Sequence, residues 1–127
     1  MANERTFYQC EICGNLVGLI EDAGIVPECC GQPMTLLSAN TSDGAHEKHV
    51  PSLKRDGDQL SVQIGSVPHP MTTAHHIVWI AVAQGRRTQR EELPVDEPAA
   101  AQFSVAEGPL SVYAYCNLHG LWKAELS

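Results

Sequence analysis

Basic residues are scarce in this chain. Lys and Arg number 8 against 15 Asp and Glu, for a net charge of −7 with His neutral, and Arg5 is the only one of them before Lys48. Phosphate binding needs a basic surface, so this balance argues against a nucleic-acid partner. Long hydrophobic runs are missing too. The longest, Ile77 to Ala83, is seven residues, whereas a bilayer-spanning helix needs about 20, so no membrane partner is expected. The first five residues carry an acid and lead into no apolar stretch. No secretory signal is read there, and the expected location is the cytoplasm. Cysteine is absent between residues 31 and 115, and histidine before residue 46. Few stretches show a helical period, and internal repeats and low-complexity tracts are lacking.

What is present is a core and an excess of metal-binding side chains. Hydrophobic residues make up 43% of the 127 and charged residues 18%, a composition that can bury an interior and is unlike a disordered acidic tail. Five cysteines and six histidines are many for this length. An odd cysteine count argues against a fully paired disulfide framework, and metal-bound thiolates in a reducing compartment fit better. Cys10, Cys13, Cys29 and Cys30 lie in front; Cys116 and all the histidines lie behind. This segregation predicts two separate metal sites.

Residues 1–37 read as a small unit closed by a metal, because a unit below about 40 residues rarely folds unaided. Phe7-Tyr8-Gln9 reads as a strand entering a Cys10-x-x-Cys13-Gly14 turn, residues 15–20 as its return, and residues 27–31 as a second metal turn. The small polar stretch 38–44 marks the boundary to a second domain, 38–127. There Leu60, Val62 and Ile64 alternate with polar residues, as do Phe103 and Val105 and the stretch 110–115, the period of half-buried strands. Residues 77–83 read as a strand buried on both faces, and 121–126 as a closing strand. Residues 94–101 read as a long loop. Strands at this spacing predict an antiparallel β-sandwich.

Cys10-x-x-Cys13 is a chelating turn, and Cys29-Cys30 follows as an adjacent pair rather than a second Cys-x-x-Cys. Neighbouring side chains on an extended chain point apart, so holding one ion with both requires a local twist and a distorted tetrahedron. Structural zinc, iron in four thiolates, or a vicinal disulfide all remain open on spacing. In the second domain, Cys116-x-x-His119 offers a thiolate and an imidazole. His69 is clamped between Pro68 and Pro70, which restricts its freedom. Only one of His75 and His76 can face a common centre if they lie on a strand. His49 follows Glu47-Lys48, and His46 is a spare. Four imidazoles and a thiolate exceed the four ligands of structural zinc. A blue-copper site with Met71 as axial ligand is one reading; iron with planar nitrogens, an axial thiolate and an open position is another.

These residues resemble desulfoferrodoxin, the two-iron form of superoxide reductase, over nearly the whole chain. The markers are Cys10-x-x-Cys13-Gly14-Asn15, Cys29-Cys30-Gly31-Gln32-Pro33-Met34, Asp43-Gly44, Glu47-Lys48-His49-Val50-Pro51, the stretch 65–71 around Pro68-His69-Pro70, and Tyr115-Cys116-Asn117-Leu118-His119-Gly120 with Trp122-Lys123-Ala124-Glu125. The resemblance implies a mainly β protein, with a desulforedoxin-like iron domain at 1–37 and an immunoglobulin-like antiparallel β-sandwich at 38–127. It implies two non-haem irons per chain. The first would be held by Cys10, Cys13, Cys29 and Cys30, the second by His49, His69, His75, His119 and Cys116. It implies that Glu47 binds the oxidised iron as a sixth ligand, and that Lys48 attracts the anionic substrate and helps deliver protons. One departure is local: the family often reads Lys-His-Trp-Ile-Glu-Trp where this chain has Ala74-His75-His76-Ile77-Val78-Trp79. His75 keeps its spacing from His69.

The implied activity is superoxide reductase: one-electron reduction of superoxide to hydrogen peroxide at the ferrous centre of four histidines and one cysteine. A reduced rubredoxin-like or other donor would then re-reduce the site, and the chain would form a homodimer through its N-terminal domains. An acidic protein repels an anion, so a local positive spot is required. A ferrous ion with one thiolate supplies about +1, and Lys48 adds to it. The competing classes are a non-catalytic iron electron-transfer protein and a zinc-stabilised binding module.

Overall fold

The computed structural model of the chain describes residues 3–42 and 44–127; Asp43, half of the Asp-Gly turn expected from the sequence, lies outside them. Two compact units separate, Glu4–Ser38 and Ala39–Ser127, the latter joined by Asn3.

In the first unit β1 (Phe7–Gln9) is the middle strand, flanked antiparallel by β2 (Leu16–Gly18) and β5 (Thr35–Leu36). A two-residue hairpin, β3 (Glu28–Cys29) with β4 (Gln32–Pro33), turns at Cys30 and Gly31. Their φ values are 54° and 78°. Positive φ at both central positions is the pattern of the tight hairpin turn, and this is the twist that the adjacent cysteines were expected to require. The core is thin: Tyr8, Cys10 and Met34 with Val17, Leu19 and Cys29 against them, and Phe7 buried as well.

The second unit is a seven-stranded antiparallel sandwich. One sheet has the order β10 (Ala100–Ser104), β7 (Gln59–Ile64), β6 (Pro51–Asp56). The other has β12 (Gly120–Leu126), β11 (Leu110–Cys116), β8 (Ile77–Gln84), β9 (Arg87–Glu92). Sheets of three and four strands match the immunoglobulin constant-type count. Leu60, Ile64, Ile80, Leu110, Val112 and Trp122 are among the fully buried side chains of the interior, each contributing roughly 1.5–3 kcal/mol by leaving water.

Two features place functional side chains. First, β8 and β11 pair in step from Ser111↔Ala83 to Tyr115↔Trp79, and then Cys116 pairs with Ile77. Val78 is therefore the extra residue of a bulge. The bulge turns Ile77 back to the interior, where it lies with Ile80 and Cys116. Second, a single helical turn, α1 (His46–His49), precedes β6. It is pinned by Val67 N–H to Glu47 O (2.9 Å), Ser66 Oγ to Glu47 O (3.3 Å) and Gly65 N–H to Val50 O (3.2 Å). Gly65 has φ 83°, and a Cβ there would run into the Lys48 backbone at 2.6 Å, so only glycine lets the two loops meet.

Candidate metal centres

In the first unit the four cysteine sulfurs converge, all within 4.8 Å of one another. Cys13 Sγ lies 3.6 Å from Cys29 Sγ, and Cys29 Sγ 3.9 Å from Cys30 Sγ. Edges of about 3.8 Å are what a tetrahedron with metal–sulfur bonds of about 2.3 Å requires. All four are free cysteines, so the vicinal-disulfide alternative is not what the structure contains. The turn is closed by Gly14 N–H to Cys10 O (2.9 Å) and Cys10 N–H to Asn15 O (2.8 Å). Backbone N–H groups of Cys13 and Ile12 directed at the Cys10 sulfur lower its pKa to about 6. Hydrogen bonding with the Cys13 and Cys10 sulfurs raises Cys29 and pushes Cys30 up to about 12. Four thiols this close cannot all ionise alone, whereas a cation among them reverses that preference.

In the second unit His49 is the hub. Its Nε2 lies 3.0 Å from His69 Nε2 and 3.1 Å from His119 Nδ1. Cys116 Sγ is 3.5 Å from His69 Nε2 and 3.9 Å from His119 Nδ1. His75 joins the donor group of His49, Cys116 and His119, and its ring centroid is 4.6 Å from that of His69. The outer ring nitrogens are anchored: His49 Nδ1 donates to Ala45 O at 2.7 Å and His69 Nδ1 to Pro70 O at 2.6 Å. Such anchors fix the tautomer and aim the other nitrogen's lone pair inward. Two lone pairs then face each other at 3.0 Å, and the buried His75 Nε2 has no hydrogen-bond partner. Lone pairs converging without protons between them fit a cation. The 3.0–3.1 Å spacing also selects its geometry: two nitrogens about 2.1 Å from one ion lie about 3.0 Å apart at right angles and about 3.4 Å apart in a tetrahedron.

Burial keeps these imidazoles in the neutral, ligating form. It lowers the His69 pKa to about 4, and it lowers His49. His75 is lowered first by burial, then by the charges of His119, His76 and Lys48. Burial raises the Cys116 thiol against the opposing effect of the His119 and Leu118 N–H groups.

The remaining candidates fall outside the cluster. Thr72 and His75 close a tight turn through Thr72 N–H to His75 O (2.9 Å) and His75 N–H to Thr72 O (3.2 Å), so the two adjacent histidines sit on a turn and not on a strand. His76 Nδ1 instead bonds Thr72 O at 2.9 Å. Met71 Sδ accepts the Ile77 N–H at 3.3 Å, which removes the axial ligand of the blue-copper reading. His46 is exposed against Trp122. Glu47 and Lys48 are exposed. Three contributors stand among the family markers in the sequence, but their roles do not show there. Asn117 Oδ1 accepts the His76 N–H (2.9 Å) and its Nδ2 donates to Ala74 O (3.0 Å), which ties the His75 turn to the Cys116 loop. Trp122 stacks on His49 at 4.8 Å. Gly44 abuts both His119 and His49, and a Cβ on it would lie 2.9 Å from His119 Cβ and 3.0 Å from His49 Cε1.

A mainly β chain with four converging thiols in one unit and four imidazoles plus a thiol in a sandwich is a two-site non-haem metalloprotein. The family model for desulfoferrodoxin matches residues 41–125, and that for the desulfoferrodoxin N-terminal domain matches residues 2–37. Desulfoferrodoxin of Syntrophotalea carbinolica is 45% identical over 126 residues, covering 98% of this chain and 99% of the relative. Superoxide reductase of Pyrococcus horikoshii is 34% identical, covering 68% of this chain and 91% of the relative. The crystal structure of superoxide reductase from Treponema pallidum superposes with a TM-score of 0.78 at 32% identity, covering 96% of this chain and 99% of the other. This chain belongs to the desulfoferrodoxin family, whose two iron sites match its four-cysteine group and its group of four histidines and one cysteine.

Proposed function

We propose that the protein is a superoxide reductase, which reduces superoxide to hydrogen peroxide by one electron. The observation that carries this reading is the His49-centred cluster: four imidazoles and one thiol converge, with His49 at near right-angle spacing to His69 and His119, and the charge of the exposed Lys48 acts on His75. Iron held there by His49, His69, His75, His119 and Cys116 would supply the electron and an open coordination position. Iron at Cys10, Cys13, Cys29 and Cys30 would close the desulforedoxin-like domain, 1–37; the sandwich, 38–127, is the catalytic one.

The chain's own groups do the rest. Ala45 O and Pro70 O hold the His49 and His69 rings in place. Lys48 concentrates a small anion at the mouth of a site on an acidic protein, and its ammonium is a proton source for the product. Glu47, on the same turn, is the carboxylate that would bind the iron in the oxidised protein. Reduction of the site calls for an external one-electron donor of the rubredoxin type. The exposed apolar side chains of the first unit, Ile20 (100% exposed), Ile25 (75%) and Ile12 (62%), support pairing of two copies through that unit. No described helix is long and apolar enough to cross a membrane, and a cytoplasmic role fits the thiol-rich sites.

Metal analysis with visible spectra, before and after anaerobic addition of superoxide to the reduced protein, tests the reading. Two irons per chain and stoichiometric oxidation of the second site with release of peroxide are expected. Cys116→Ser should lose the thiolate absorption of that site and nearly all turnover. A reduced protein that superoxide leaves unoxidised would instead make it a non-catalytic electron carrier.

A further inference from the structure

Two histidines near the sandwich site are not ligands in the reading above: His76, which bonds Thr72 O, and His46. His46 sits at the surface, on the first residue of α1. Its ring meets Trp122 edge-on, with centroids 5.1 Å apart and planes at 84°. Trp122 is fully buried and lies nearly parallel to His49, at 4.8 Å and 27°. His49 Nε2 then faces the centre of the cluster. Three rings in van der Waals succession thus run from solvent to a ligand position. The Trp122 indole N–H is buried without a hydrogen-bond partner, which carries a desolvation cost. An unsatisfied polar group in a native interior calls for a reason beyond packing, since a phenyl ring would fill space without that cost.

We propose that His46 and Trp122 form the port through which a one-electron donor protein reduces the sandwich site: the donor docks over His46, and the electron passes by way of Trp122 and His49. The inference rests on the superoxide reductase reading, because it concerns how that same site is recharged. The step transfers one electron, breaks no bond and needs only the external donor already invoked. Electron tunnelling falls off more slowly through packed atoms than across gaps, and the ring ladder is the packed route shown from this surface. Helical spacing also separates the two tasks of α1. Residues three apart share a helix face, whereas residues two apart do not. His46 therefore lies on the His49 and Trp122 side, while Lys48, which acts on His75, points elsewhere. One turn of helix presents the donor port and the anion-attracting lysine on different faces.

The test follows the two half-reactions separately in the iron-loaded protein by anaerobic stopped-flow spectroscopy. His46→Ala removes only an exposed ring. It should slow bleaching of the oxidised site by a reduced rubredoxin several-fold, with metal content, ferric spectrum and the rate of oxidation by superoxide unchanged. Trp122→Phe keeps a stacked ring on His49, and Trp122→Leu removes it. If Trp122 only positions His49, Phe restores both spectrum and reduction rate; if it carries the electron, Phe keeps the spectrum and still slows reduction. Donor reduction as fast in His46→Ala as in the parent overturns the port, and leaves the superoxide reductase reading to its own test. Failure of both proteins to react with superoxide would overturn that reading instead.

Discussion

Lys48 and Glu47 are neighbours on one helical turn, both exposed, and they separate by the step each serves. A surface Glu-Lys pair without function is worth under about 1 kcal/mol, and its loss would change no rate. A lysine that steers an anion acts on association and is screened by salt over about 8–10 Å. Lys48→Ala is therefore expected to slow the bimolecular reaction with superoxide by roughly tenfold and to flatten its ionic-strength dependence, with iron content intact. Glu47→Ala should leave that step alone and alter the ferric spectrum and its pH dependence. Pulse radiolysis of both variants at two salt concentrations checks this; equal rates for Lys48→Ala and parent at low salt would remove the steering role. Gly44 makes a steric prediction at the same scale. A methyl group there meets His119 and His49 at 2.9–3.0 Å, and the strap cannot back away freely because Ser42 Oγ is bonded to His119 O at 2.6 Å. Gly44→Ala should cost about 1–3 kcal/mol and lower metal occupancy of the sandwich site alone. Full occupancy and unchanged melting would show that the strap yields.

Legibility in the sequence varied with the element. Strands β7, β8 and β11 announce themselves because they are central or carry a buried face, and their alternation or apolar run survives in the residues: Leu60, Val62, Ile64 in one, 77–83 in another. β9 was not legible. It is the outer strand of its sheet, its residues Arg87–Glu92 are nearly all exposed, and an edge strand made of charges carries no hydrophobic period, while those charges discourage pairing with other chains. β6 failed for a similar reason: beyond Pro51 none of its residues is fully buried, and only Leu53 and Arg55 are half-buried. The long loop expected at 94–101 ends earlier, because Ala100 and Ala101 already pair with Gln63 and Val62. α1 is too short for any period. The cluster residues themselves were legible, because Cys and His in short motifs advertise chemistry. The roles of their supports were not: the bulge at Val78, the Asn117 clamp, the Gly44 contact and the Trp122 stack join segments far apart in the chain, so even the quoted markers Gly44, Asn117 and Trp122 did not disclose what they touch.

At the scale of the molecule the two units differ in what holds them. The sandwich buries a continuous interior and folds on hydrophobic grounds. The Glu4–Ser38 unit has four buried core residues, Phe7, Tyr8, Cys10 and Met34. A core this small gives the unit little apolar burial of its own, and units of this size rarely fold without a metal, disulfides or a partner. An ion in four thiolates adds stability that such a core lacks, since structural sites of this kind contribute on the order of 10 kcal/mol at neutral pH. Cys30 is the sensitive point: it holds φ 54° ahead of Gly31, and its sulfur is 3.9 Å from that of Cys29. Cys30→Ser should therefore drop the metal content from two ions to one and release the first unit. Hydrogen exchange at β1 and β2 should lose protection, while β7, β8 and β11 keep theirs. Superoxide should still oxidise the remaining site, because that site is built wholly from residues of the second unit. Retained protection in β1 and β2 with one ion lost would mean that the small core is self-sufficient. Two ions retained would mean that Cys30 is not a ligand.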